Sequence, residues 1–362
     1  LILYNLMKTN LVTGGCGFVG KNMVWRLLNT TNDQIIIIDN LSVGQHPDSW
    51  IGIEKSKENQ NTAIYSKNGI ERVFFIKEDA RETFRSLRLD EDYFKDIFSL
   101  NYEQLNDVFH FAAIVGGRAK IDGDPMMVAL DLAIDAEFFY WICNNKPNRV
   151  LYPSSSAAYP IDLQTTDGAI ALKESDIDFT SMGEPDMTYG WSKLTGEYLA
   201  KIAFKHYGVH ITCIRPFSGY GEDQDLTYPT PAIAKRAALK EDPFEVWGTG
   251  YQGRDFVHIE DVIDCILIAM DKIGDGTAIN IGMGKLTSFR DIISVFCRFA
   301  GYNPEIKTLL DKPVGVHSRY CNMDFVKNTL NWEARISLEE GLRRVYDRAV
   351  AEIEKEKEKE NA

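Results

Sequence analysis

Two side chains capable of acid–base chemistry stand four residues apart in the segment Tyr189-Gly190-Trp191-Ser192-Lys193. On a helix, positions i and i+4 lie on one face, so we expect the phenol and the ammonium group to point the same way. A free phenol, with a pKa of about 10, is a poor base near neutrality. A neighbouring cation favours the phenolate, so the spacing predicts Tyr189 as a general base assisted by Lys193.

Three hydroxyl side chains, Ser154, Ser155 and Ser156, follow the apolar segment 149–152, which we interpret as a strand. Ligands of open α/β sheets bind beyond the carboxyl ends of the strands. We therefore expect these serines to lie at the ligand-binding edge of a sheet. The next residue is Ala157, so this turn offers no carboxylate as an extra acid.

A glycine-rich segment, Thr13–Gly20, follows a first apolar strand and precedes an amphipathic helix. Gly14, Gly17 and Gly20 permit a tight turn, a close approach of the backbone to a pyrophosphate, and close packing of helix on strand. The positive end of the helix would attract the phosphates. The segment is typical of a site for a dinucleotide.

Asp39 ends the next apolar strand, about 20 residues after the glycines. A carboxylate at this place accepts hydrogen bonds from both hydroxyls of an adenosine ribose, and it would repel a 2′-phosphate. The combination predicts a site that prefers NAD over NADP. The alternative is a turn whose glycines only pack, with a carboxylate that caps a helix.

Short apolar segments alternate with amphipathic ones in the first half of the chain, which predicts a parallel sheet covered by helices. Ile35–Ile38 and Val108–Phe111 are continuously apolar, as in strands that are buried on both faces. We predict an α/β fold, a Rossmann-like doubly wound parallel sheet with a smaller C-terminal α/β substrate-binding part. The strands are expected at 10–13, 34–39, 72–76, 107–111, 149–152 and 209–215, and one helix at 188–207.

The regular alternation also predicts domain limits. We expect an NAD-binding domain over 7–215, with strand and helix returns from about 250–282 rejoining it. Residues 216–350 would form the mainly substrate-binding part, and 351–362 a charged tail. The polar segment 42–69 is longer than a normal connection, so we interpret it as a solvated surface insertion, with a lid as the alternative.

Bulk properties exclude several classes of partner. The formal net charge of -13 repels a phosphate backbone, so we expect no nucleic-acid partner. No apolar run approaches the roughly 20 residues of a membrane helix, so we expect no membrane association. The opening segment Leu1–Leu6 is too short for an export signal, and Met7 is an alternative first residue.

Cysteines and histidines give no sign of a metal site. The six cysteines are scattered and form no CxxC pair, which indicates free thiols in a reducing compartment, the cytoplasm. His110, His258 and His317 are far apart in sequence and are not accompanied by carboxylates at ligand spacing. We expect these three histidines to be structural.

Taken together and in order, these motifs resemble the extended short-chain dehydrogenase/reductase family, whose members epimerise or dehydrate nucleotide sugars. The motifs are TGGCGFVG at 13–20, Asp39, SSSAAYP at 154–160 and YGWSK at 189–193. Later segments extend the resemblance over nearly the whole chain. They are RPFSGYG at 215–221, GTGYQGRDFVH at 248–258, NIG at 280–282, LNW at 330–332 and EGL at 340–342.

For the cofactor, the resemblance implies NAD, and for the assembly it implies a homodimer joined by helices. Asp79 matches the acid that contacts adenine, and the turn His110–Ala113 matches one wall of the cofactor site. The full set of expected cofactor contacts is Gly14, Gly17, Phe18, Val19, Gly20, Asp39, Asn40, Asp79, Ala80, Ala112, Ala113, Tyr189 and Lys193.

For the substrate, the resemblance implies a nucleotide-diphosphate sugar, either a UDP- or a GDP-hexose. Ser155 or its neighbour Ser156 would contact the sugar oxygen that is oxidised. Arg254 and Arg319 match arginines that hold the diphosphate, because a planar guanidinium binds phosphate oxygens bidentately. Ser218 also lies near the diphosphate in this comparison.

Some of these positions depart from the family pattern or have another interpretation. Ser218 replaces the usual Asn, and Asp131 stands where an Asn is common, so the contacts there are open. Each of the two arginines has a simpler alternative, a surface ion pair with Asp255 or with Asp324.

We predict a 4-epimerase type of reaction. Tyr189 removes a proton from a sugar hydroxyl, NAD takes the hydride, and the hydride returns to the other face of the keto-sugar, so net redox change is zero. Dehydratases and decarboxylases of the family carry a carboxylate in the turn after the serines. Ala157 stands there in this chain, which favours oxidation and re-reduction at one carbon over elimination.

Three alternatives remain open. From Ser154 onward the sequence is most similar to GDP-mannose 3,5-epimerase, but a Cys is missing at Ala157 and a Lys is missing from 222–230. A reductase of a keto-sugar nucleotide uses the same Tyr, Lys and Ser. A non-catalytic NAD-binding regulator is a different class of protein, and it typically loses the Tyr or the Lys. The sugar and the nucleotide base are not determined by the sequence.

Overall fold

The computed structural model describes residues 7–100, 102–114, 116, 118–166 and 169–360, and the side chains of all of these except 118–120 and 360. A nine-stranded sheet runs through the described part, with parallel neighbours over its first seven strands and antiparallel neighbours at the far edge. From edge to edge the strands are β13 (Asp275–Ile281), β8 (Ile211–Pro216), β7 (Arg149–Pro153), β6 (Asp107–His110), β1 (Thr9–Thr13), β2 (Gln34–Asp39), β5 (Ile70–Lys77), β4 (Thr62–Lys67) and β3 (Glu54–Glu58).

Helices lie on both faces of this sheet, and others pack together in the C-terminal part. They are α1 (Phe18–Thr30), α2 (Ala80–Leu89), α3 (Tyr93–Phe98), α4 (Arg118–Gly123), α5 (Pro125–Val128), α6 (Asp131–Asn145), α7 (Met187–Tyr207), α8 (Pro229–Ala238), α9 (Ile259–Lys272), α10 (Phe289–Ala300), α11 (Asp324–Leu330) and α12 (Leu338–Glu360). Short 3-10 helices include Ser156–Ala158, directly after β7.

The isoleucine run of β2 shows why the strands are apolar without a period of two. Ile35 and Ile37 belong to the core under α1 and α9, whereas Ile36 and Ile38 belong to the core under α2, α6 and α7. All four are fully buried, and each buried side chain of this size stabilises the fold by roughly 1.5–3 kcal/mol. The predicted doubly wound parallel sheet is confirmed.

The chain reverses direction across the sheet at β1, which lies between β2 and β6. From β1 it passes through α1 to β2 on one side, and it later enters β6 on the other side. Ligands of such sheets bind in the crevice beyond the carboxyl ends of the strands at this reversal. That crevice begins at Thr13 and His110, the last residues of β1 and β6.

The segment 42–69 differs from the solvated insertion that its polar composition led us to expect. Residues 54–67 form the antiparallel pair β3–β4, which extends the sheet beyond β5. β3 is exposed along its whole length, but Ala63, Ile64 and Tyr65 of β4 are buried. The polar residues thus belong to the outermost strand, and the few apolar ones are enough to pack β4 on the core.

Three smaller sheets form in the C-terminal half. They are the parallel pair β9 (Ser218–Tyr220) with β12 (Phe256–His258), the parallel pair β10 (Phe244–Trp247) with β15 (Ile306–Leu309), and the three strands β14 (Thr287–Ser288), β11 (Gly253–Arg254) and β16 (Ser318–Arg319). A separate apolar core joins α8, α10 and α12 there. Within the described residues, none of the helices has the length and apolar character needed to cross a bilayer.

Candidate active site

The glycine segment after β1 lies against the turn after β6 with no room for side chains. Gly14 has a positive φ of 64°, and a Cβ there would lie 2.7 Å from the backbone of Phe111 and Ala112. At Gly20, a Cβ would lie 2.2 Å from the carbonyl oxygen of Gly14. Gly17 is the N-cap of α1 and makes no side-chain cap. The segment forms a backbone-lined cradle at a helix N-terminus, which fits a pyrophosphate.

Asp39 projects from the end of β2 beside this cradle. Its carboxylate accepts hydrogen bonds from the backbone N–H of Cys16 (2.9 Å) and of Leu41 (2.8 Å). Burial raises the pKa of Asp39, and these two N–H groups oppose the rise. Asn40 is exposed, and its side-chain oxygen accepts a hydrogen bond from Ser42. The fixed carboxylate has the place and the chemistry expected for a ribose-binding acid.

The remaining expected cofactor residues lie at the same edge of the sheet. Asp79 follows β5 and caps α2, and it forms an ion pair with Arg81 (Nη2–Oδ2 2.8 Å) that lowers the pKa of Asp79. Ala80 is buried at the start of α2. After β6, the N–H of Ala112 donates to the Thr13 hydroxyl (3.1 Å). Partly buried neighbours along this edge are Phe18, Val19 and Ala113.

Tyr189 and Lys193 both lie in the first two turns of α7, as their spacing predicted. The Lys193 Nζ atom is 5.7 Å from the centroid of the Tyr189 ring and 5.6 Å from that of Tyr152. Ser155 is the N-cap of the 3-10 helix after β7; its hydroxyl accepts the N–H of Ala157 (3.1 Å) and lies close enough to the Tyr189 phenol to act on its pKa. The phenol, the ammonium group and one serine hydroxyl therefore converge.

Close packing holds the serine turn against the start of α7. Gly190 lies against the Ala157 carbonyl, since a Cβ there would come within 2.3 Å of that oxygen. The same carbonyl accepts the N–H of Asp186 (2.9 Å), at the N-terminus of α7. Ser156 is buried inside the 3-10 helix, so Ser155 is the more accessible of the two serines.

The groups around Tyr189 and Lys193 shift the pKa of the Tyr189 phenol in opposite directions. Burial raises the pKa of Tyr189, while the Lys193 ammonium and the Ser155 hydroxyl act to lower it. Burial also acts to lower the pKa of Lys193, but Asp131, Asp135 and Tyr189 together outweigh burial and raise it. In the protein alone the net pKa of Tyr189 is raised, so Lys193 supports the phenolate without being sufficient for it.

Sequence reasoning missed the buried acid behind Lys193. The Asp135 carboxylate accepts the Tyr152 hydroxyl (2.6 Å) and contacts the His110 ring (3.3 Å), which in turn contacts the Thr13 hydroxyl (2.9 Å). All four side chains are buried. The available signal was Asp135 itself, a carboxylate at a core-facing position of the apolar helix α6. His110 proves to be part of this network.

The two arginines expected at the substrate site lie on a pair of very short strands. Arg254 of β11 and Arg319 of β16 are register partners. Arg254 donates to the Val314 carbonyl (3.1 Å), and Arg319 forms an ion pair with Asp186 (2.8 Å) at the start of α7. The sequence did not indicate the ion pair between Arg319 and Asp186, because these residues lie 133 positions apart.

Asp255 and Asp324, the alternative ion-pair partners considered for these arginines, make other contacts. Asp255 is buried, and its carboxylate accepts the backbone N–H of Met283 (2.8 Å) and of Gly284 (2.9 Å). Asp324 accepts the side-chain amide of Asn322 (3.2 Å). Ser218 is partly exposed in β9, next to β12.

Comparison with known proteins identifies the class. The model of the NAD-dependent epimerase/dehydratase family matches residues 10–282, more than half of the chain, so this protein belongs to that family, whose cofactor is NAD. The match confirms the resemblance found in the motifs.

The individual relatives described next are each less than 30% identical to this chain. A putative UDP-glucose 4-epimerase of Methanocaldococcus jannaschii is 27% identical over 93% of this chain and 97% of its own. GDP-mannose 3,5-epimerase of Arabidopsis thaliana is 28% identical over 71% of this chain and 68% of its own. The crystal structure of UDP-glucose 4-epimerase from Thermotoga maritima with UDP-glucose covers 95% of this chain and 99% of its own at a TM-score of 0.75 and 23% identity, a likeness of fold.

Proposed function

We propose that the protein is an NAD-dependent nucleotide-sugar epimerase of the 4-epimerase type. The observation that carries the proposal is the convergence of the Tyr189 phenol, the Lys193 ammonium and the Ser155 hydroxyl next to a turn without an acid. Two of the relatives named above carry UDP-glucose 4-epimerase in their names, and they match this chain over most of its length.

In this proposal each group has one task. Tyr189 accepts the proton of the sugar hydroxyl, and Ser155 donates a hydrogen bond to the same oxygen as its charge changes. Lys193 stabilises the phenolate. NAD, when bound, would supply the acceptor and donor for the hydride of the sugar carbon. Its positive nicotinamide ring would act in the same direction as Lys193 and lower the pKa of Tyr189.

The cofactor would be held by the cradle and the acids at the strand ends. Gly14, Gly17 and Gly20, with the N-terminus of α1, receive the pyrophosphate, and Asp39 receives the adenosine ribose. The other contacts proposed are Phe18, Val19, Asn40, Asp79, Ala80, Ala112 and Ala113. The ion pair with Arg81 lowers the pKa of Asp79 and so keeps the Asp79 carboxylate ionised.

The diphosphate of the sugar nucleotide would bind to Arg254 and Arg319, with Ser218 nearby. Two arginines that are register partners on paired strands can offer several donors to one diphosphate. The Arg319–Asp186 ion pair links this site to the start of the helix that carries Tyr189. We therefore assign substrate binding to 216–350 and NAD binding to 7–215 with the returning β13 and α9, followed by the charged end of α12.

The 3,5-epimerase and reductase alternatives make different use of the same site. Exchange at the carbons beside a ketone requires an added acid–base pair. Ala157 is buried and apolar in the 3-10 helix, where a thiol would be needed. A reductase requires net consumption of a reduced cofactor, whereas the epimerase restores its cofactor in every cycle.

The decisive experiment is incubation of purified protein with UDP-glucose, UDP-galactose and GDP-mannose in D2O. Inversion at C4 without deuterium in the sugar and without net NADH is the expected result, with Tyr189→Phe as the inactive control. Deuterium at C3 or C5 would instead establish the 3,5-epimerase reaction. Net turnover of NAD or NADH would establish a redox enzyme and contradict the proposal.

We also propose a homodimer formed through α6 and α7. These helices pack against each other and expose large apolar side chains, namely Leu132 and Tyr140 on α6 and Trp191 and Tyr198 on α7. Such exposed residues on neighbouring helices mark an interaction site. The six unpaired cysteines support a reducing compartment such as the cytoplasm.

A further inference from the structure

A buried ion pair lies beneath the catalytic helix and takes no part in the proposed chemistry. Both guanidinium nitrogens Nε and Nη2 of Arg215, in β8, donate to Glu197 of α7, at 2.8 and 2.7 Å. The side chains are only 4% and 1% exposed. Arg215 also donates to the Tyr159 hydroxyl (2.9 Å), which donates to the Asn280 side chain (2.8 Å).

Stability alone gives no reason for this pair. Taking two charges out of water costs free energy, and replacing a buried pair by apolar side chains of similar volume is often neutral or stabilising, by about 1–4 kcal/mol. A buried pair does, however, impose one geometry on the elements that it joins. Arg215 is fixed by Tyr159 and Glu174, so it presents its guanidinium plane to Glu197 in a single orientation.

The elements joined here are those that carry the catalytic groups. Glu197 lies one helical turn after Lys193 and two turns after Tyr189 on α7. The carboxylate oxygen of Glu197 that accepts Arg215 Nε also accepts the hydroxyl of Ser154, the residue directly before Ser155. One oxygen atom therefore connects the helix of the phenol to the strand end of the serine hydroxyl.

We infer that Glu197, held in place by Arg215, is a positioning residue that sets the distance between the Ser155 hydroxyl and the Tyr189 phenol. The inference rests on the proposed function of those two groups. The backbone bond from Asp186 to Ala157 fixes the start of α7 against the serine turn. The Glu197–Ser154 bond fixes the next turns of the helix, so the two contacts together prevent α7 from sliding or rotating.

The test uses apolar and polar replacements of the pair. In E197L/R215M both charges are removed together, so no charge is left buried and we expect the protein to fold. We expect kcat to fall by about 10- to 100-fold, because small misplacements of reacting groups have effects of this size. KM should stay within about twofold, since no substrate contact is removed. In E197Q/R215M the glutamine oxygen still accepts Ser154 but is no longer held by Arg215, so we expect part of the lost kcat to return.

A matched control is the bidentate ion pair between Arg149 and Asp107, which lies at the amino ends of β7 and β6, away from the proposed site. D107N should leave kcat unchanged. Should E197L/R215M fail to fold, S154A removes the same hydrogen bond without touching a charge and should lower kcat at constant KM. Wild-type kcat in a folded E197L/R215M, or in S154A, would overturn the inference.

A second readout separates this inference from the proposed function. The ¹³C signal of the Tyr189 ring, assigned with Tyr189→Phe, should move in E197L/R215M and return in part in E197Q/R215M, with no substrate present. An inactive wild type with this pattern of signals would refute the proposed reaction and leave the positioning role standing. An unmoved signal would refute the positioning role itself.

Discussion

At the residue scale, the function of Tyr189 depends on several neighbouring charges. Lys193 is the cation on its own helix, Asp131 and Asp135 face the pair from α6, and Tyr228 approaches from the segment before α8. Burial and the two acids raise the pKa of the phenol, and Lys193 lowers it. These interactions oppose one another, so the direction in which the pKa of Tyr189 changes on removal of one group can be worked out.

Replacing Tyr189 by Phe should abolish most of the activity while leaving the fold intact. General acid–base groups contribute about 10²–10⁴-fold to rate, so kcat should fall by that factor. The ring remains, so the midpoint of thermal unfolding should stay near the wild-type value. The exposed Tyr207, at the end of the same helix, gives the control, since Tyr207→Phe should keep full activity. Retention of activity by Tyr189→Phe would show that another group is the base.

Asp135→Asn should move the low-pH limb of the rate profile to lower pH. Its carboxylate raises the pKa of Tyr189, so removing the charge lowers that pKa and the phenolate persists at lower pH. The amide keeps an acceptor for the Tyr152 hydroxyl, so the packing is preserved. The pH dependence of kcat for wild type and variant, measured side by side, gives the sign. A limb displaced to higher pH would show that Asp135 acts mainly through Lys193.

The residues predicted from sequence are those whose partners are close along the chain. Tyr189 and Lys193 are four positions apart, and the glycine spacing within 14–20 is equally local, so helix and turn geometry determined both. Glu197 and Arg215 are 18 positions apart and meet only because β8 lies next to β7 under α7. No spacing rule finds such a contact without the sheet order.

At the scale of elements, the same reasoning explains which strands were predicted. β2 and β6 are buried on both faces, and their continuous apolar residues make them recognisable. β3 and β4 were not predicted, because β3 is fully exposed and only the middle of β4 packs on the core. The two-residue strands β11 and β16 carry no pattern of their own, although they hold the two arginines of the proposed substrate site.

Arg254→Met tests the role of these short strands. The methionine keeps an apolar side chain next to the Phe289 ring, which Arg254 now contacts, and removes the guanidinium donors. A hydrogen bond to a charged group is worth about 1.5–3 kcal/mol, so kcat/KM for the nucleotide sugar should fall about 10- to 100-fold. The loss should appear in KM if the diphosphate is held equally in ground and transition states. An unchanged KM and kcat would remove Arg254 from the binding site.

At the scale of the whole molecule, two surface properties bear on function, the negative net charge and the exposed apolar side chains. The net charge of -13 repels anions at long range, so the proposed nucleotide-sugar substrate would need local cations, for which we propose Arg254 and Arg319. The exposed large apolar side chains are spread over the described surface, and seven of them lie on the adjacent helices α6 and α7. Because α7 also carries Tyr189 and Lys193, a partner docked on its outer face would stiffen the helix on which the chemistry depends.

This arrangement predicts that assembly and activity are coupled. Trp191 is 42% exposed on the outer face of α7, between the catalytic residues, so Trp191→Glu should place a charge in the proposed dimer interface. We expect sedimentation to change from dimer to monomer and kcat to fall with it, while the far-UV circular dichroism stays constant. Leu310→Glu, at a residue 73% exposed in the C-terminal part, is the control and should remain dimeric and active. A wild type that sediments as a monomer would disprove the interface, whereas a monomeric, fully active Trp191→Glu would show that α7 needs no partner and is held by its own buried contacts.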